Sequence, residues 1–172
     1  MIEIQKGTPS EVLEMLLFDA FRCTGCRICE NVCSVANEGE LNPRKSRISV
    51  IKAERVGFDS PMACLQCETP LCKEACPMNA IVRDVKTSAL TIVEERCIGC
   101  KMCVVACPFG GITVLPDKKV AKCDLCGGDP KCVQYCPTGA IEYIPERNLA
   151  LRKRREALRR LSRLHAMVGG PG

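Results

Sequence analysis

The sequence predicts an α+β protein in which short strands pack round four groups of cysteines, with one amphipathic helix at the C-terminal end. Three observations carry that prediction. Sixteen cysteines in a chain of 172 residues fall into four groups of four. Short β-rich runs bounded by Gly, Pro and Asp stand before and after those groups. The stretch 146–168 repeats its apolar residues with helical periodicity and ends at Gly169-Gly170-Pro171.

The cysteine groups come first because they dictate the rest. They read Cys23-x2-Cys26-x2-Cys29-x3-Cys33, Cys64-x2-Cys67-x4-Cys72-x3-Cys76, Cys97-x2-Cys100-x2-Cys103-x3-Cys107 and Cys123-x2-Cys126-x5-Cys132-x3-Cys136. Pro77, Pro108 and Pro137 directly follow three of them. Thiolate is the ligand that suits iron–sulfur cores. A Cys-x2-Cys-x2-Cys loop wraps three sulfurs round one cubane. The fourth Cys lies a helical turn further on, and in two-cluster proteins of this kind it ligates the other cluster. Sixteen such ligands predict four [4Fe–4S] clusters. Zinc ribbons separate their Cys pairs by a dozen residues or more, and here the thiols crowd together. Gly25 and Gly99 fall inside the ligand loops, where positive φ or close backbone approach is expected.

Composition agrees. Aromatic residues make up 3% of the chain, with no Trp, so side chains alone build a thin core. The opening MIEIQKGTPSE has no apolar h-region and no twin arginine, and no run reaches the length of a membrane span. We therefore expect a cytoplasmic protein, where thiols bind metal rather than pair as disulfides. The formal charge is +5, and residues 152–163, with seven basic side chains and one acidic, hold all of that excess. Four thiolate-held cubanes would add about −8, leaving the loaded chain near about −3. Basicity is thus no argument for nucleic acid.

In chain order, residues 1–13 form an N-terminal arm in which Thr8-Pro9-Ser10-Glu11 has the form of a capping box. Strands are expected at Leu16-Leu17-Phe18, Ala80-Ile81-Val82, Leu90-Thr91-Ile92-Val93, Ile112-Thr113-Val114-Leu115, Lys119-Val120-Ala121 and Ala140-Ile141-Glu142-Tyr143-Ile144. The segment 47–55 alternates enough to be one arm of a hairpin. Strands this short do not hold a sheet alone, so metal loading and folding are coupled. In the tail, Leu151, Ala157, Leu158, Leu161, Leu164 and Val168 share one helical arc, opposite Arg152, Arg155, Arg159 and Arg163. Arg154 and His165 interrupt that arc.

Two pairings of the groups are open on spacing. Group one pairs with two and three with four, or two pairs with three and one with four. The 20 residues between Cys76 and Cys97 hold the two strands a two-cluster unit needs, while Cys33-Ser34 lacks the Cys-Pro ending and 30 residues separate Cys33 from Cys64. Spacing favours the nested scheme.

The segments FRCTGCRICENVCS, CLQCETPLCKEACP, RCIGCKMCVVACPFGGI and KCDLCGGDPKCVQYCPTGAI, spanning residues 14–145, resemble the four-cluster ferredoxin-like electron-transfer subunits. Such subunits accompany molybdenum and tungsten oxidoreductases, hydrogenases, formate dehydrogenases and carbon monoxide dehydrogenases. The resemblance implies tandem, interleaved 2[4Fe–4S] bacterial ferredoxin-like modules. The outer module would comprise 14–58 and 117–145, the inner 59–116, with a basic helical tail over 146–172. Cys23, Cys26, Cys29 and Cys136 would hold one cluster, and Cys33, Cys123, Cys126 and Cys132 its neighbour. Cys64, Cys67, Cys72 and Cys107 would hold the third, and Cys76, Cys97, Cys100 and Cys103 the fourth. Small size and the short insert 127–131 resemble the small iron–sulfur subunit of tungsten aldehyde oxidoreductases. That implies a non-catalytic electron carrier between a molybdenum- or tungsten-type catalytic subunit and a flavin/NAD subunit or ferredoxin. A subunit of one of the other enzymes, or a free polyferredoxin, is the alternative.

The remaining features carry less. Met62, Met78 and Met102 read as gap-filling core. Phe109 and Tyr135 adjoin ligand cysteines and read as packing against the cluster cages. No nucleophilic set, phosphate loop or dinucleotide fingerprint is present. The tail helix is expected to dock on another subunit or on a second copy of the chain, with no membrane span.

Overall fold

The computed structural model describes residues 14–145 and, beyond them, positions 150, 151, 153, 154, 157, 158, 161 and 162. The Thr8–Glu11 capping box, His165, Leu164 and Val168 lie outside the described residues.

Contacts divide the chain into two units, Met15–Tyr143 and the two chain ends together. Within the first, every cysteine group is joined to the next by a two-stranded antiparallel hairpin. Between groups one and two, β2 (Ile48–Ala53) pairs with β3 (Phe58–Ala63), Ile48 opposite Ala63. Between two and three, β4 (Ile81–Arg83) pairs with β5 (Leu90–Ile92). Between three and four, β6 (Ile112–Val114) pairs with β7 (Val120–Lys122). The first strand, β1 (Glu14–Phe18), pairs with the last, β8 (Ile141–Pro145), and closes the series. Each expected strand is present, with ends moved by one residue or so.

Four helices carry the third cysteine of each group, and the first of them carries the fourth as well; the sequence places a helical turn there but not its bounds. They are α1 (Ile28–Glu38), α2 (Leu71–Glu74), α3 (Met102–Ala106) and α4 (Lys131–Gln134). The last three are too short to show a periodicity. A Pro follows each within a few residues, and the residue before a Pro is pushed out of the helical region. Cys107, before Pro108, is extended at φ −82° and ψ 109°.

Two small cores form from cysteines and aliphatic side chains together. One gathers Leu16, Cys29, Cys33, Ile48, Val50, Leu125, Cys132 and Ile141. The other gathers Cys72, Ile81, Leu90, Cys103 and Ile112. Burying each aliphatic side chain contributes about 1.5–3 kcal/mol, so neither core is large. Met78 and Met102 are not core. Met78, in the turn after Cys76, is 46% exposed, and Met102, on the short helix α3, is 51% exposed. Tyr135 is 60% exposed at the end of α4, whereas Phe109, expected beside it, lies against Cys64, Cys67, Cys72 and Cys107.

In the second unit the described positions between 150 and 162 are helical, and Leu151, Leu158 and Leu161 are exposed. No described helix is long and apolar enough to cross a membrane.

Candidate metal centres

The sixteen cysteines converge as four quartets, each lining its own cavity. Cys23, Cys26, Cys29 and Cys136 line one. Cys33, Cys123, Cys126 and Cys132 line the next. Cys64, Cys67, Cys72 and Cys107 surround the third, and Cys76, Cys97, Cys100 and Cys103 the fourth. Every quartet takes three cysteines from one group and one from another. A wider cleft lined by Glu38, Arg47, Glu94 and Asp117 reaches only Cys97 among the thiols, so it has no donor set for a fifth centre.

Neighbouring quartets share packing and hydrogen bonds. Cys29, Cys33 and Cys132 lie in one core, and Gln66, between Cys64 and Cys67, donates to the Cys123 carbonyl. Cys72 and Cys103 share one core. The order is therefore Cys29 quartet, Cys132 quartet, Cys64 quartet, Cys103 quartet. Cys26 and Cys100 are the exposed thiols, and they belong to the first and last of that series.

A repeated backbone device shapes each ligand loop. The residue two after the first cysteine has positive φ in all four groups: Gly25 at 65°, Gln66 at 52°, Gly99 at 68° and Leu125 at 59°. Glycine at 25 and 99 adopts this freely, as the sequence suggested, whereas Gln66 and Leu125 pay a steric penalty of about 1–2 kcal/mol. The turn aims backbone N–H groups at sulfur. Gly25 N–H donates to Cys23 Sγ at 3.4 Å and Gln66 N–H to Cys64 Sγ at 3.3 Å. A second donor serves the fourth cysteine. The N–H four residues on donates to it at Cys76 (Ala80, 3.3 Å), Cys107 (Gly111, 3.3 Å) and Cys136 (Ala140, 3.2 Å). Cys33 departs from this, since α1 continues through it. Arg47 N–H reaches it instead at 3.3 Å.

Burial makes several of the thiols hold their protons more tightly than a free cysteine does. Burial pushes Cys29 up to about 12, with the Glu30 carboxylate adding to it. Burial likewise raises Cys123 to about 12 and lifts Cys72, Cys103, Cys126 and Cys132. Cys136 goes the other way. Burial raises it, but the Thr138 hydroxyl and the N–H groups of Ile141, Ala140 and Thr138 outweigh that.

Two further residues join the middle quartets, and nothing in the sequence pattern marked them. Lys122 is 4% exposed, and its Nζ donates to Cys64 Sγ at 2.6 Å. Gln66 Nε2 donates to the Cys123 carbonyl at 2.8 Å, while its Oε1 accepts from Leu90 N–H at 2.8 Å.

The donor set fits an iron–sulfur core. A tetrahedral zinc brings its sulfurs to about 3.8 Å of one another. Among the described residues no three His, Cys, Asp or Glu side chains converge closely enough to hold a single ion. Four thiols round a cavity, with N–H groups aimed at sulfur, suit a multi-atom core.

These features define a class: a cysteine-ligated iron–sulfur protein for electron transfer, with four [4Fe–4S] clusters. Comparison with known proteins agrees. Residues 56–145 match the 4Fe-4S dicluster domain family and residues 20–36 a 4Fe-4S binding domain. The chain belongs to the 4Fe-4S dicluster family. It is 46% identical over 116 residues to the aliphatic sulfonate oxidoreductase, polyferredoxin-like subunit of Pyrococcus furiosus, covering 66% of each chain. It is 40% identical over 134 residues to the electron transport protein HydN of Escherichia coli, covering 64% of this chain and 74% of that one. Among solved structures, the active site complex BamBC of benzoyl coenzyme A reductase aligns over 86% of this chain and 90% of that one. The identity there is 23% and the TM-score 0.48.

Proposed function

We propose that the chain is an electron relay subunit, which passes single electrons between a catalytic oxidoreductase subunit and a second redox partner. The observation that carries this reading is the series of four four-cysteine cavities, with an exposed thiol, Cys26 or Cys100, at each end. In this reading Cys23, Cys26, Cys29 and Cys136 hold one cluster, and Cys33, Cys123, Cys126 and Cys132 the second. Cys64, Cys67, Cys72 and Cys107 hold the third, and Cys76, Cys97, Cys100 and Cys103 the fourth. The modules interleave, the inner over 59–116 within an outer over 14–58 and 117–145. When bound, each [4Fe–4S] core supplies a one-electron couple.

The chain's residues hold and tune that couple. Burial of Cys29, Cys33, Cys64, Cys72, Cys103 and Cys132 keeps water from the sulfurs. N–H donors from Gly25, Arg47, Gln66, Ala80, Gly111 and Ala140 stabilise thiolate charge. Substrate chemistry belongs to the partner. The Pyrococcus relative, named as an oxidoreductase subunit, supports a catalytic partner of that kind. The finer proposal is a molybdenum or tungsten enzyme of the aldehyde-oxidising type, in the cytoplasm, with a flavin/NAD subunit or a ferredoxin at the other end. Docking is assigned to the basic tail 146–172.

Anaerobic purification of the native complex, with metal analysis, tests this. About 16 iron atoms per chain, and molybdenum or tungsten in a co-purifying subunit, are expected. A colourless protein, or a brown monomer with no partner, contradicts it.

A further inference from the structure

We infer that Lys122 is a built-in redox-tuning residue, a fixed cation that raises the reduction potential of the centre held by Cys64, Cys67, Cys72 and Cys107 above that of the same site without it. The inference rests on the ligand sets proposed above. Its basis is a contact rather than a general surface charge. The ammonium donates to Cys64 Sγ at 2.6 Å and reaches Gln66 Oε1 at 3.4 Å, in a side chain almost wholly removed from solvent. Among the hydrogen bonds of the described residues, it is the one charged side chain on a cysteine sulfur. Side-chain contacts to other sulfurs come from Asn37 on Cys33 and Thr138 on Cys136, both neutral and longer.

Comparison with Arg47 sharpens the point. Arg47 lies beside the Cys33 quartet, but its guanidinium pairs with Glu38 at 3.3 Å and Asp124 at 3.6 Å, so its field is largely cancelled. No ion pair of the described residues includes Lys122. A buried charge without a partner is costly, and here the counter-charge is the thiolate itself.

The sign follows from charge. Reduction adds one electron and makes the centre more negative by one unit. A cation at hydrogen-bond distance stabilises the reduced form more than the oxidised form. In a buried site this effect is strong, because water does not screen it. The position gives the effect a use. Lys122 immediately precedes Cys123, and Gln66 ties the loop between Cys64 and Cys67 to the Cys123 carbonyl. The cation therefore stands at the junction of the second and third quartets, at the middle of the series. A raised potential on one side of that junction biases where an electron rests.

The test uses the full-length chain, loaded anaerobically, with iron content and EPR-monitored redox titration as readouts. Lys122→Met should keep wild-type iron and lower the potential of one centre of four. Its equilibrium constant for reduction should fall at least tenfold, which is 59 mV for one electron. Lys122→Arg, which keeps the charge, should stay within about threefold of wild type. Cys64→Ser should perturb the EPR signal of the centre that Lys122→Met shifts. Should the Met variant lose iron, Lys122→Gln is read in its place, with the same expected fall. Full iron with four unmoved potentials overturns the tuning role. So does loss of iron in both Met and Gln variants, which makes Lys122 structural. A Cys64→Ser variant that alters a different centre from Lys122→Met overturns the ligand assignment instead.

Discussion

Groups one and three have the same cysteine spacing, yet they fold differently after the third cysteine. Their loops begin alike. Gly25 and Gly99 have φ of 65° and 68°, and Arg27 and Lys101, at the helix starts, have φ of 60° and 62°. From there α1 runs for 11 residues and α3 for 5. The difference is the residue after the fourth cysteine, Ser34 in one group and Pro108 in the other. Proline forces Cys107 out of the helix, while Ser34 lets the helix continue. Ser34 is fully buried and gains two bonds. Its Oγ donates to the Asn31 carbonyl at 2.8 Å and accepts from Asn42 N–H at 3.1 Å. The shared first turn differs too: Glu30 stands where group three has Val104, and its Oε1 accepts Val50 N–H from β2 at 2.6 Å. The residue after the fourth cysteine therefore decides whether the helix stops at the ligand loop or runs on.

That comparison can be broken at several points. The largest effect is expected from Ser34→Pro, which imposes the group-three ending on group one. It removes a helical N–H and crowds the preceding turn, costing about 3 kcal/mol or more. Urea unfolding of the loaded chain, with iron content, measures it. Glu30→Ala comes next, because it strands the buried Val50 N–H, at about 1–3 kcal/mol. Glu30→Gln, which keeps an acceptor, should cost less, and the same unfolding series separates them. Gly111→Ala probes the other group. Ala80 and Ala140 occupy the matching position after Cys76 and Cys136, but a Cβ on Gly111 would lie 2.8 Å from Cys64 Cα. The loop must shift, at about 1–3 kcal/mol, and the EPR signal of the Cys64 centre should broaden or vanish.

The smallest effect concerns the β4–β5 turn. The N–H and hydroxyl of Thr87 hold the Asp84 carboxyl below its ordinary value of 3.8. A lowered folded value means its stabilisation is present above about pH 3.8 and is lost as pH falls through the lower value. A small Tm difference between wild type and Asp84→Asn at neutral pH should thus shrink in acid. A difference that grows in acid would contradict this sign.

Much of this was legible in the sequence, for identifiable reasons. Thiol spacing reports ligand geometry directly, and Cys-Pro marks where each short helix must stop. Strand positions followed from β-branched runs between turn residues. The nested pairing favoured by spacing is the one carried into the proposed ligand sets. What escaped was set by tertiary contact. Gln66 and Leu125 give no glycine signal for their positive φ, because the strain is imposed by the loop around them. Lys122 reads as an ordinary strand cation until β7 carries it to Cys64. Met102 was expected inside, and it is exposed because the one-turn α3 has no second layer to cover it; Met78 and Tyr135 lie just past such helices and are partly open to solvent.

The most direct test of the central proposal, interleaved cluster ligation, is a pair of EPR spectra on serine variants of the loaded chain. Cys136→Ser should alter the same centre as Cys26→Ser, although 109 residues lie between them in the sequence. If Cys136→Ser instead alters the centre that Cys126→Ser alters, each group holds its own cluster and the interleaved assignment is wrong.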